Sequence, residues 1–323
     1  MTMDLEVKVS EEQFLNLYRK LSMIRRFEEK VDELFRQGRI KGAIHVSVGE
    51  EAVAVGVAEA LSEKDLVMAT HRGHGHCIAK GGDISRMMAE LFGRSTGYCR
   101  GKGGSMHIID VKKGMLGAVG IVGAGLPIAT GVGVAIKMQK TRQVCVCLFG
   151  DGASNGGMFH EALNVAALWK LPIVFVCENN LYGLSVSMKK SSAVKDIAVR
   201  AKAYDIPGAV VDGMDVLDIW KVTEKAVRRA RDGRGPSLLE CKTYRFLGHS
   251  RGDPPYGPYR TQEELETWKK RDPFLLLIEQ GGLTSNEVER IDKEVSEVVE
   301  EAVRFAEESP EPDVDVALED IYA

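Results

Sequence analysis

The stretch from Val144 to Gly183, VCVCLFGDGASNGGMFHEALNVAALWKLPIVFVCENNLYG, decides the fold. Val144 to Phe149 is an apolar run that stops abruptly at Gly150-Asp151-Gly152, the pattern of a buried strand ending in a tight turn. From Gly157 to Trp169 the residues Met158, Phe159, Ala162, Leu163, Ala166, Ala167 and Trp169 recur at three- and four-residue intervals, which places them on one face of a helix. Leu171-Pro172 ends that helix, and Ile173 to Cys177 is a second apolar run, too short for a helix, that ends in Glu178-Asn179-Asn180. The unit reads as strand, helix, parallel strand, with polar groups gathered at the carboxyl ends of both strands.

In open parallel sheets ligands bind at that edge. Asp151 and Asn180, with 28 residues between them, would meet there. A carboxylate and a side-chain amide are hard oxygen ligands suited to magnesium, which is usually completed by phosphate and water. The glycines flanking Asp151 let a bulky anion approach the backbone, and the following helix aims its free N–H groups and positive dipole end at the same place. Asp-Gly or Asn-Asn alone is usually a turn. Together these parts describe a magnesium diphosphate site.

The wider chain is 323 residues, 44% hydrophobic and 28% charged, with a formal net charge of -4 that gives no electrostatic reason to expect nucleic acid. Its start, MTMDLEVKVSEEQ, carries acids and no apolar core, so neither a signal nor a transit peptide is expected. No apolar run approaches a membrane span. The six cysteines fall mainly in or beside apolar segments, as at Cys145, Cys147 and Cys177, and read as buried, reduced thiols of a cytoplasmic protein. Ser10 and Gln13 make a capping box ahead of a long helix with a stripe running from Phe14 to Leu34. Asp65 to Thr70 is a short strand ending at His71-Arg72, where a guanidinium could grip phosphate oxygens. His71, His74 and His76 hint at zinc, but no further ligands are evident.

Two glycine-rich patterns are decoys. Gly101-Lys102 ends like a P-loop, yet Gly103 stands where Ser or Thr is needed. Gly123 to Ala129 mimics a dinucleotide fingerprint, but no apolar strand is evident before it and Pro127 lies inside it. After the central unit, Val194 to Tyr204 reads as a helix, Ile206 to Val211 as a strand, Asp215 to Arg231 as a helix and Pro236 to Tyr244 as a strand. A Gly- and Pro-rich loop follows, and two charged amphipathic helices run from Gln262 to an acidic tail ending LEDIYA. With no repeat and no linker, residues 1–323 read as one α/β domain, a mostly parallel sheet with helices on both faces.

GDG, 26 residues, then NN resembles the thiamine diphosphate motif. The text around it resembles the alpha subunit of the first, decarboxylating component of 2-oxo acid dehydrogenase complexes, in the pyruvate and acetoin dehydrogenase branch. The resemblance implies the diphosphate-binding half of a thiamine diphosphate-binding fold. It makes Asp151, Asn180 and the Tyr182 carbonyl the magnesium ligands and brings Arg72, Gly152 and Ala153 to the diphosphate. Gly120 and Val122 would hold the aminopyrimidine through backbone groups, with His107 near the site. His45 and His249 become proton-transfer or orienting groups, and Ser250 aligns with the regulated serine of mitochondrial relatives. His71 departs from the aromatic usual in pyruvate-specific members and agrees with acetoin-type ones.

The glutamate that activates the aminopyrimidine is not in this chain, so the resemblance implies a separate beta chain, two alpha and two beta chains in all, and a lipoyl-bearing acyltransferase as acceptor. The function expected first is oxidative decarboxylation of pyruvate or a related 2-oxo acid with acyl transfer to the lipoyl group. The alternative is cleavage of acetoin to acetyl-lipoyl and acetaldehyde. More remote are a nicotinamide-dependent dehydrogenase and a non-catalytic regulatory subunit; the second would be marked by loss of Asp151 or Asn180, and both are present.

Overall fold

The computed structural model describes residues 9–319, so the first eight residues of the acidic start and Asp320 to Ala323 of the tail lie outside the described residues. In chain order the elements are α1 (Glu11–Arg36), α2 (Glu51–Glu59), β1 (Leu66–Thr70), α3 (Gly73–Ala79), α4 (Ile84–Leu91), β2 (Met115–Val119), α5 (Gly125–Met138), β3 (Cys145–Gly150), α6 (Gly157–Leu168) and β4 (Ile173–Asn179). A small hairpin, β5 (Tyr182–Gly183) and β6 (Val186–Ser187), leads through α7 (Met188–Ser191) to β7 (Gly208–Asp212), α8 (Val216–Arg231) and β8 (Ser237–Lys242). The chain closes with α9 (Gln262–Lys269), α10 (Pro273–Gly281) and α11 (Ser285–Glu308).

Six strands form one parallel sheet in the order β2-β1-β3-β4-β8-β7. Alternation along β3 and β4 sorts the core into two halves, because successive side chains of a strand point to opposite faces. Val146, Leu148, Val174 and Val176 join one cluster with Leu21, Ile24 and Phe27 of α1 and Val53 of α2. Cys145, Cys147, Ile173 and Phe175 join the other, with Leu126 of α5 and Phe159 and Leu163 of α6. Helices therefore cover both faces, as expected for a parallel sheet. In the second cluster a Cβ on Gly133 would lie 2.7 Å from the Ile173 side chain, so α5 seats against the sheet only with glycine there.

Topology places the site. From β1 the chain crosses to β2 on one side and later returns to β3 on the other, so the strand order reverses between β1 and β3. A crevice opens at the carboxyl ends of strands at such a reversal. Phe149 pairs with Cys177 and Gly150 with Glu178, so β3 and β4 end level. That register brings Asp151 and Asn180 to one edge.

Several details differ from the sequence reading. A strand does precede the glycine run: β2, MLGAV, is short and glycine-containing because it lies at the sheet edge. It is separated from β3 by β1, so no adjacent βαβ unit forms there and the dinucleotide reading still fails. Trp169 is 51% exposed at the carboxyl cap of α6 instead of sharing its buried face. Of the helix expected from Val194 to Tyr204 only Ile197–Tyr204 is helical, and as a 3-10 helix. Three helices, not two, close the chain. The capping box at Ser10 and Gln13 forms as the spacing requires.

Candidate active site

A cavity of about 380 Å³ opens at the strand reversal. Its walls include Thr70, His71 and Arg72 at the end of β1, Val122 before α5, Gly150 to Ala153 at the end of β3, Asn180 and Tyr182 after β4, and His249 after β8. Asp151, Asn180, Tyr182, Gly152, Ala153, Arg72, Val122 and His249, named from the sequence across 178 positions (72 to 249), thus share one space.

The end nearest β3 is charged. Asp151 is 4% exposed and its Oδ2 has no hydrogen-bond partner. Burial pushes its carboxyl up to about 6 despite the opposing charge of Arg245. Asn180 donates from Nδ2 to Glu50 Oε1 at 2.9 Å, which fixes the amide and presents Oδ1; that oxygen accepts only a long 3.4 Å bond from the Tyr182 N–H. Gly152 sits against Gly183, with an added Cβ at 3.4 Å from the facing Cα, so the wall here is bare backbone on both sides.

Two guanidiniums back this end. Arg72, buried, donates to the carbonyls of Val46 at 2.6 Å and His249 at 2.7 Å, and its Nε lies 3.7 Å from Glu50. Arg245 was not singled out in the sequence. It is 1% exposed, donates from Nη2 to Leu184 O at 3.1 Å, and leaves Nε and Nη1 without partners. Burial, then the charge of Arg72, brings its guanidinium down to about 10. An unpaired buried cation beside an unpaired buried carboxylate oxygen is costly unless a ligand engages both. A magnesium ion and a diphosphate fit this donor set, the ion on Asp151 and the anion on the guanidiniums. A signal for Arg245 existed: Thr70-His71-Arg72 and Thr243-Tyr244-Arg245 both follow a strand of the sheet.

The other end is uncharged imidazole. His45 does not itself line the cavity; its ring centroid stands 4.7 Å from that of His71 and 5.1 Å from that of His249, which do. Burial, followed by the charge of Arg72, brings His45 down to about 4, His71 to about 2 and His249 to about 3. All three are neutral at pH near 7. His45 Nδ1 and His71 Nε2 are buried without partners.

The remaining sequence candidates fall outside this space. His107 is exposed and packs on Gly120, where an added Cβ would be 3.3 Å from its Cε1; neither residue lines the cavity. His74 and His76, grouped with His71 as a zinc hint, are turned into the body by α3: His74 bonds Glu28 at 2.9 Å and Ser105 at 3.0 Å, and His76 meets Glu178 at 3.0 Å. Glu50 was also missed; Gly49-Glu50-Glu51 at a helix start carries no local signal of a role. The Gly- and Pro-rich loop after β8 is held by Arg260, buried and bonded to the carbonyls of Pro255, Arg245 and Leu247.

With this geometry in place, similarity to known proteins can be read. The family described as "Dehydrogenase E1 component" matches residues 19–315. The alpha subunit of acetoin:2,6-dichlorophenolindophenol oxidoreductase from Bacillus subtilis is 50% identical over 322 residues, covering 98% of this chain and 95% of its own length. Its namesake from Cupriavidus necator is 44% identical over 319 residues, covering 97% and 95%. The pyruvate dehydrogenase E1 component subunit alpha of Rhizobium meliloti is 42% identical over 317 residues, covering 97% and 90%.

Proposed function

Because this chain belongs to the dehydrogenase E1 component family, as an alpha subunit, we propose that it serves an enzyme that cleaves and oxidises acetoin. The family makes it a subunit of a thiamine diphosphate-dependent oxidoreductase that works with a beta subunit. The preference drawn from the sequence, pyruvate before acetoin, is reversed here, since the relatives at 50% and 44% identity carry acetoin in their names.

The observation that carries this reading is the neutral trio of His45, His71 and His249. A 2-oxo acid brings a carboxylate, which calls for a cation free to face it, whereas Arg72, the guanidinium against His249, already donates to the carbonyls of Val46 and His249. Acetoin is uncharged and offers a ketone oxygen and a hydroxyl, which neutral imidazoles can match as donor and acceptor. Splitting acetoin also requires the hydroxyl proton to leave as acetaldehyde departs, and an imidazole at that end can hold it. The bound cofactor supplies the electron sink for the broken C–C bond.

In this reading Asp151, Asn180 and the Tyr182 carbonyl hold magnesium. Arg72, Arg245, Gly152 and Ala153 take the diphosphate, and the backbone of Gly120 and Val122 takes the aminopyrimidine, with His107 behind Gly120. His45 and His249 move or orient protons. Residues 1–323 act as one domain in a cytoplasmic enzyme of two alpha and two beta chains that passes an acetyl group to a lipoyl-bearing partner. Five buried cysteines without disulfides suit that compartment, and no helix among the described residues is long and apolar enough to cross a membrane. Ile121 and Val122, 69% and 63% exposed at the cavity wall, suit a site completed by a second chain.

The test is to assemble the chain with its beta partner and measure acetaldehyde and carbon dioxide release from acetoin, pyruvate and branched 2-oxo acids. Acetaldehyde from acetoin should dominate by at least about tenfold in kcat/KM. Faster carbon dioxide release from any 2-oxo acid would overturn the assignment.

A further inference from the structure

The imidazole end of the cavity has a capacity that neither acetoin nor a 2-oxo acid uses. We propose that His45, His71 and His249 form a site for a divalent cation of the zinc type, three imidazole ligands with a fourth position open to water or a substrate oxygen. This holds whichever substrate the enzyme takes.

One ligand nitrogen from each ring lies within 4.8 Å of those of the other two. A tetrahedral zinc with bonds of about 2.0–2.1 Å needs its ligand nitrogens roughly 3.4 Å apart, so the rings have to close by up to about 1.4 Å. Two of the three carry an unpartnered buried nitrogen, His45 Nδ1 and His71 Nε2, and His45 is itself only 9% exposed. All three are unprotonated near pH 7, so a metal displaces no proton there. His74 and His76, which stand nearer in sequence to His71, are engaged by Glu28, Ser105 and Glu178 and leave the trio as the set.

Two metals would sort themselves along the cavity by chemistry. Carboxylate and amide oxygens at Asp151 and Asn180 suit magnesium, whereas imidazole suits zinc and its neighbours. Arg72 and Arg245 oppose a second dication, and His249 Nδ1 lies 3.3 Å from an Arg72 nitrogen. Those guanidiniums are the ones aimed at the diphosphate, so binding of that anion should tighten the imidazole site. Metal bound there would occupy the substrate end and make the enzyme sensitive to zinc.

The experiment uses the full chain assembled with its beta partner, stripped of metal and titrated with cobalt(II), then with zinc. Expected is one equivalent per chain with the intense visible bands of tetrahedral, nitrogen-ligated cobalt, displaced by zinc and retained in Asp151→Ala. Affinity should fall at least about tenfold in both His71→Ala and His45→Gln, each checked for native circular dichroism. The proposal fails if no such bands form, if they survive in both folded histidine variants, or if they vanish with Asp151→Ala, which would place the metal on the oxygen ligands.

Discussion

In one part of the site Asp151 on the cavity wall and Arg245 outside the lining carry buried charge with hydrogen-bonding capacity left over; in another, His71 and His249 on the wall and His45 packed on them are crowded and neutral. The ends share a wall and even a residue, since Arg72 bonds the carbonyl of His249 while standing behind the charged end. Burial acts on both, and its result depends on the group. A carboxylate or guanidinium kept ionised in a dry site calls for a counter-ion, whereas an imidazole escapes the penalty by giving up its proton. The charged part is therefore built to bind a charged group, and the imidazole part offers neutral donors and acceptors.

The largest effect should come from the residue that joins them. Arg72→Met removes the bonds to Val46 and His249 and leaves Glu50 buried without its cation. A loss of about 3 kcal/mol in urea unfolding is expected, with no measurable turnover. A fully stable variant would mean that the ends are held apart by something else.

Arg245→Met sharpens the contrast by removing the second guanidinium while leaving the Arg72 bonds in place. Its Nε and Nη1 bond nothing within the protein, and its charge repels that of Arg72. Stability without cofactor should therefore hold within about 1 kcal/mol. Affinity for magnesium thiamine diphosphate should drop roughly thirtyfold, about 2 kcal/mol, by calorimetry.

The smallest effect is on pH dependence. Unfolded histidines take up protons near pH ~6.5, but His45 and His249 when folded do so only near 4 and 3, and His71 near 2. Protons thus favour the unfolded chain as pH falls through that window, and the trio's contribution to stability rises with pH up to about 6.5. Asp151, raised to about 6, works in the opposite direction, so the informative quantity is a difference. Melting temperatures between about pH 5 and pH 7 should depend less on pH in His71→Phe than in the parent, and equal slopes would show His71 to be protonated when folded.

The two ends also differ in how far the sequence discloses them. Asp151 and Asn180 belong to one strand-helix-strand unit, so local periodicity and two short polar clusters are enough to bring them together. The trio joins positions 45, 71 and 249, from three loops whose meeting depends on the order of strands across the sheet. Nearness in sequence pointed to His74 and His76 instead, which α3 rotates toward Glu28 and Glu178. Strand β2 escaped notice for a related reason: five residues with a central glycine at a sheet edge present little apolar pattern. The bonds by which Arg260 holds the loop after β8 leave no apolar pattern to read, since they join one side chain to three carbonyls.

Division of labour along the cavity is tested most directly by calorimetric titration of the assembled enzyme with magnesium thiamine diphosphate, comparing the parent with Asp151→Ala and His71→Phe. Asp151→Ala should weaken binding by at least about a hundredfold with circular dichroism unchanged, while His71→Phe should stay within about threefold of the parent. Undiminished binding in Asp151→Ala, or an equal loss in both variants, would contradict the account.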